Sequence, residues 1–157
     1  MFEEISDFFT TDIIYLWLNL GVIPFWFMLI FFPQSKICRF FVTSIFPYLI
    51  FGAVFIHLLY ILYKSEYAFL QSFNLYLGFN ELINLFSDPS FTLLFWVHFL
   101  SINLFCGSWI VKDSQKLLIS KYLVFLPLIF TYFVGPVGIL IYWIIRIFFA
   151  KKISLYD

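Results

Sequence analysis

The sequence is short of charge. Asp, Glu, Lys and Arg make up 11% of its 157 residues, against 64% apolar residues and a mean hydropathy of +1.01. Soluble domains carry about a quarter charged and about half apolar residues, so a soluble class is excluded. Nine cations against nine anions leave a formal net charge of zero, which removes phosphate neutralisation, and with it nucleic acid, as a binding principle. The two cysteines, Cys38 and Cys106, sit in no CxxC, and no disulfide scaffold or zinc site is indicated. With two histidines, His57 and His98, a membrane di-iron oxygenase lacks its ligands. No lysine lies inside an apolar run to carry a retinal Schiff base, and no carboxylate is expected there to carry a proton or ion. Repeats and low-complexity linkers are absent. Glu3, Glu4, Asp7 and Asp12 occupy the N-terminus in place of a basic cleavable leader or a transit peptide, which favours a bacterial protein or one encoded where it is used.

What is there is apolar length. Four runs, Ile13–Pro33, Phe40–Tyr63, Phe91–Val111 and Tyr122–Phe149, each suffice at ~1.5 Å per residue to cross a hydrocarbon core of about 30 Å. The expected fold is all-α: one integral membrane four-helix bundle spanning residues 1–157. The last run is overlong, and Pro127 with the GPVG at 135–138 should kink or tilt it. Between spans two and three, Phe79, Leu82, Ile83 and Phe86 recur at i, i+3, i+4, i+7 opposite Asn80, Glu81, Asn84 and Ser87, the pattern of an amphipathic helix lying in the interface. A fifth crossing through residues 67–86 would bury Gln71, Asn74, Asn80, Glu81 and Asn84, and is set aside. With four spans, Lys36, Arg39, Lys112, Lys116 and Lys121 fall on one side and Lys64, Arg146, Lys151 and Lys152 on the other, a near tie. The acids before span one and Lys36/Arg39 after it favour both termini outside.

Polar residues inside these runs form the candidate site. Counted from the face that carries the termini, Asn19, His57, His98 and Tyr142 all lie ~9–11 Å deep, with Arg146 one turn nearer the surface. One polar group per helix at one level suits a shared cavity, with His98 facing inward within reach of His57 or Asn19 and residues 79–86 over the mouth. It also suits interhelical hydrogen bonding worth ~0.6–2 kcal/mol per contact. Two histidines on neighbouring spans have the donor chemistry to ligate a haem axially, or to flank an organic substrate as base and acid. The 25 phenylalanines read either as an AT-rich coding composition or as a lining suited to a flat polyene.

Several motifs together resemble a known family. They are WVHFLSINLF at 96–105, the GPVG at 135–138 ahead of an aromatic stretch and Arg146, LFSDPS before span three, and Asn19, Pro24 and Pro47-Tyr48. This set is similar to the abscisic-acid-deficient (neoxanthin-forming) membrane protein family, over nearly the whole chain. The resemblance implies a membrane protein of a bacterial inner membrane or a photosynthetic membrane, with a carotenoid or other isoprenoid lipid as partner beside membrane lipids and other membrane proteins. It implies epoxide-to-allene isomerisation without metal or redox cofactor: a base removes a vinylic proton while an acid protonates the opening epoxide oxygen. On that reading His98 is the base and Tyr142 or Tyr132 the acid, with Asn19, His57, Trp96, Asn103, Gly135, Pro136 and Arg146 around the substrate. Two positions depart from the family: Asn103 where an aspartate is usual and Ser108 where a basic residue is frequent. Asparagine keeps hydrogen bonding and cannot serve as a base at neutral pH. The alternatives are a non-enzymatic structural or assembly subunit of a membrane complex, and a small haem-binding membrane protein.

Overall fold

A computed structural model describes residues 10–64 and 76–150, and every regular element among them is a helix. The helices are α1 (Thr11–Phe31), α2 (Lys36–Phe41), α3 (Phe46–Lys64), α4 (Phe79–Phe86), α5 (Pro89–Lys116), α6 (Lys121–Phe133) and α7 (Gly135–Ala150). Three stretches, Thr11–Phe31, Lys36–Lys64 and Pro89–Lys116, are long and apolar enough to cross a membrane. The chain is thus a helical membrane protein. Both chain ends and part of the link between spans two and three (residues 1–9, 65–75 and 151–157) lie outside the described residues, as do most of the set-aside fifth crossing and the sidedness of the termini.

Local chemistry explains each boundary. In α1 the buried side chains are Ile14, Leu18, Val22, Trp26 and Leu29, a single stripe at steps of four and three, while Leu16, Trp17, Leu20, Ile23 and Phe27 are exposed and apolar. A helix apolar on its outer face has lipid as its solvent. The second expected run starts later than its hydropathy suggests. Ser35 caps the short α2 by accepting from Cys38 N (3.0 Å), and the chain then breaks at residues 42–45. There Thr43 and Ser44 hydroxyls donate to the carbonyls of Arg39 and Phe40, local bonds that compete with helix propagation. Pro47, in the first turn of α3, needs no N–H partner.

The amphipathic helix lies at residues 79–86 as its spacing predicts, but its buried residue is Leu85, while Phe79 and Ile83 are exposed. Asp88 Oδ1 then accepts from Phe91 N (2.8 Å) with Pro89 at the first helical position, a capped start for α5. Along α5, Leu93, Val97, Leu100, Leu104, Gly107, Val111 and Ser114 are buried at alternating steps of four and three. The helix ends in a Schellman arrangement: Leu118 has φ 55°, Ile119 N donates to Ser114 O (2.9 Å) and Leu118 N to Gln115 O (3.3 Å).

In place of one kinked fourth span stand two shorter helices, α6 and α7, of 13 and 16 residues. They separate at Val134 (φ −141°, ψ 77°), and Pro136, with no N–H to continue the ladder of α6, sits in the first turn of α7, where none is needed. The change of direction is far more than a kink. A Cβ on Gly138 would lie 2.6 Å from Pro127 O and collide with Thr131, so the first turn of α7 lies flat against the body of α6. The two helices form an antiparallel hairpin, closed by a glycine where any larger residue would strike backbone.

The chain divides into two compact units, one from Met1–Gly21 and Tyr48–Leu100, the other from Val22–Pro47 and Ser101–Asp157. The hairpin belongs to the second.

Candidate functional site

Polar side chains of the second unit collect on the face of α5 that meets α7. Arg146, only 1% exposed, sits in an otherwise apolar helix and must find a counter-charge. It finds Asp113, with Nε donating to Oδ2 at 2.8 Å and the second guanidinium nitrogen 3.5 Å from Oδ1. Tyr142 donates its hydroxyl to the same Oδ2 at 2.6 Å. Aromatic rings enclose the group: Trp109 meets Tyr142 edge-on at 5.6 Å and stacks with Trp143 at 6.3 Å, and the guanidinium lies 5.0 Å from the Trp143 ring centre. Asp113 itself is 11% exposed. A pair this deep gives up much hydration and holds together through geometry; removal of one partner strands the other, at ~3–5 kcal/mol.

Ten residues earlier on α5, at the start of α7, a second arrangement appears. Asn103 is 5% exposed, and its Oδ1 lies where a Cβ of Gly135 would stand. Only glycine lets the first turn of α7 approach that amide. Asn103 Nδ2 has no hydrogen-bond partner among the described residues. One turn further along α5, the ring of Trp26 covers Gly107, where a Cβ would lie 2.7 Å from it. Trp26 is 3% exposed, meets the half-buried Tyr132 at 5.4 Å, and leaves its own Nε1–H unpaired. Two buried donors without acceptors therefore flank the closed end of the hairpin. Ser108 donates to Val42 O at 3.4 Å, a structural contact between α5 and the end of α2.

The residues singled out from sequence divide between the units. Tyr132, Asn103, Gly135, Pro136, Tyr142 and Arg146 are in the second, while His98, Trp96, His57 and Asn19 are in the first. Tyr142 is tied to Asp113, ~22 Å of helix rise along α5 from His98. His98 is exposed, beside the buried Val97, so the inward-facing histidine that the cavity required is absent. His57 is likewise exposed, beside the buried Leu58. Asn19 donates to Tyr15 O of its own helix at 2.7 Å. Trp96 packs against Tyr15 and Phe99 at 5.8 and 5.2 Å. Tyr142 spends its proton on Asp113, which opposes a role as acid toward a substrate, whereas Tyr132 stands beside an unpaired donor. The sequence reading missed Asp113, Trp26, Trp109 and Trp143. For Asp113 a signal existed, since an arginine within an apolar helix demands an acid; the tryptophans gave none.

A family model described as ABA DEFICIENT 4-like matches residues 13–142, a stretch that includes Trp26, Asn103, Asp113, Gly135 and Tyr142 and stops short of Arg146. Among curated proteins the chain is similar to Protein ABA DEFICIENT 4, chloroplastic, of Arabidopsis thaliana, at 26% identity over 130 residues, covering 80% of this chain and 57% of that protein. The chain thus spans less than two thirds of that relative's length. No solved structure matches.

Proposed function

The chain belongs to the ABA DEFICIENT 4-like family, and on that premise we propose that it binds an oxygenated carotenoid or related isoprenoid lipid at the closed end of the α6–α7 hairpin. The observation that carries this reading is the pair of buried, unpaired donors there, Trp26 Nε1 and Asn103 Nδ2. A buried donor without an acceptor costs ~1–3 kcal/mol, which a ligand oxygen would recover. The ligand must also be apolar enough to reach the site through lipid, and an isoprenoid with a hydroxyl or epoxide on its ring meets both demands. Aromatic rings along the site offer a polyene its contact area.

Isomerisation of an epoxide is the stronger form of the same reading. Tyr132 is the side chain with a proton to give beside Trp26, and the two unpaired donors suit an oxygen that gains charge as its ring opens. The exposed His98 and the amide at Asn103 both argue against a strong base at the site, so binding is favoured over turnover.

Expression in a violaxanthin-making host tests both. The purified protein should carry an oxygenated carotenoid in near-stoichiometric amount, and Trp26→Phe and Asn103→Val should each reduce it several-fold while the protein still elutes as a folded species. A colourless protein, or retention unchanged in both variants, would overturn the binding reading. Neoxanthin in the cell extract would establish the stronger form.

A further inference from the structure

We propose that α6 and α7 form a re-entrant hairpin, which dips into the membrane and returns to the side from which it entered, and that this side is the cation-rich inner face. Length comes first. At ~1.5 Å per residue α6 and α7 reach about 20 and 24 Å, short of the ~30 Å that a crossing needs. Direction is the second step. Gly135 lies against Asn103, Tyr142 against Trp109 and Asp113, and Arg146 against Asp113. Rising residue numbers on α7 therefore meet rising numbers on α5: the two run parallel, and α7 finishes beside the end of α5 from which α6 departs. Gly138 against Pro127 and Thr131 fixes the antiparallel return. Buried Arg146 then lies near a membrane surface, paired with an acid that is itself partly exposed, which makes it tolerable within lipid.

Orientation follows from this. Three crossings leave Lys36, Arg39, Lys112, Lys116 and Lys121 on one side and Lys64 on the other, among the described cations outside the buried ion pair. The near tie of a four-span count becomes five against one. Asp12, Glu81 and Asp88 accompany Lys64. By the bias that holds basic loops inside, the side carrying 112–121 faces the interior, where anionic headgroups meet its lysines.

The test is side-specific labelling in the full chain with Cys38→Ser and Cys106→Ser as background. Gly78→Cys, Ser120→Cys and Ala150→Cys are treated with a membrane-impermeant maleimide in intact bacterial cells and again after permeabilisation. The expected result is that Gly78→Cys labels in intact cells and that the other two label only after permeabilisation. Labelling of Ala150→Cys together with Gly78→Cys would mean a fourth crossing and overturn the hairpin; labelling of Ser120→Cys in intact cells would overturn the orientation. Because Cys38 is buried and Cys106 partly so, the unmodified chain fused after Asp157 to a fluorescent protein or to alkaline phosphatase gives an independent reading. Fluorescence without phosphatase activity is expected, and the reverse overturns the proposal. Replacing Lys112, Lys116 and Lys121 by glutamine should invert a measurable fraction of molecules, and an unchanged orientation would overturn the charge argument.

Discussion

At the scale of the residue, the described part of the chain keeps a buried charge pair, Asp113 and Arg146, in its apolar body and wraps it in aromatic rings. Asp113→Asn or Arg146→Met alone should destabilise the protein by ~3–5 kcal/mol, read as a lower midpoint of thermal unfolding in detergent. The double variant Asp113→Leu/Arg146→Met should recover most of that loss, because no charge is then stranded; a double variant as unstable as the worse single would show that the pair is not the unit. Leu118 gives the opposite kind of prediction. Its φ of 55° is costly for a branched side chain at a helix end, so Leu118→Gly should raise stability by about 1 kcal/mol in the same assay. Part of this was legible beforehand. Arg146 announced itself as a cation in an apolar run, but Asp113 fell just beyond a span that hydropathy closed at Val111, whereas the helix runs on to Lys116. His98 shows a different limit. Where both faces of a helix are apolar, the pattern does not say which face looks inward, and His98 stands on the outer one.

At the scale of the element, glycine decides the shape of the hairpin. A Cβ at Gly138 meets the backbone carbonyl of Pro127, which cannot swing away as a side chain can, whereas a Cβ at Gly21 or Gly52 meets nothing within 4 Å. Gly138→Ala should therefore cost ~1–3 kcal/mol by overpacking, and Gly52→Ala, inside α3, should gain roughly 0.5–1 kcal/mol. Equal effects at the two positions, measured by thermal unfolding, would contradict the close crossing. The break itself could be read from GPVG, since proline and glycine interrupt a helix wherever they fall. Its angle could not, because reversal depends on Gly138 finding Thr131 and Pro127, residues that become neighbours only once the chain has turned. The interruption before α3 was hidden for a related reason: Thr43 and Ser44 barely dent the hydropathy of their run, yet their hydroxyls bind the very carbonyls that would have continued α2. The span limits of α1 and the existence of α4 at residues 79–86, by contrast, followed from length and periodicity alone, although the face that α4 buries, at Leu85, did not.

At the scale of the molecule, chemistry and exposure separate along the chain. The second unit holds the buried charge pair, the unpaired donors Trp26 Nε1 and Asn103 Nδ2 and the close glycine contacts, while the first holds both exposed histidines and one further unpaired donor, Trp96 Nε1. His98 sits in WVHFLSINLF, one of the motifs that carry the family resemblance, but a motif also marks residues that face lipid or a partner, and burial is what distinguishes a ligand site from a surface. The two possibilities predict opposite phenotypes. If the ligand is held at the hairpin, His57→Leu/His98→Leu should retain bound carotenoid within about twofold of the parent, since exposed side chains removed from a lipid-facing surface change stability by only ~0.5 kcal/mol, whereas Trp26→Phe/Asn103→Val should lose most of it. Should the histidine double variant come off the column colourless and folded while the hairpin variant keeps its pigment, the site belongs to the first unit and the unpaired donors serve another purpose. Pigment-to-protein absorbance ratios of the two variants, purified side by side from the same carotenoid-producing host, decide between them.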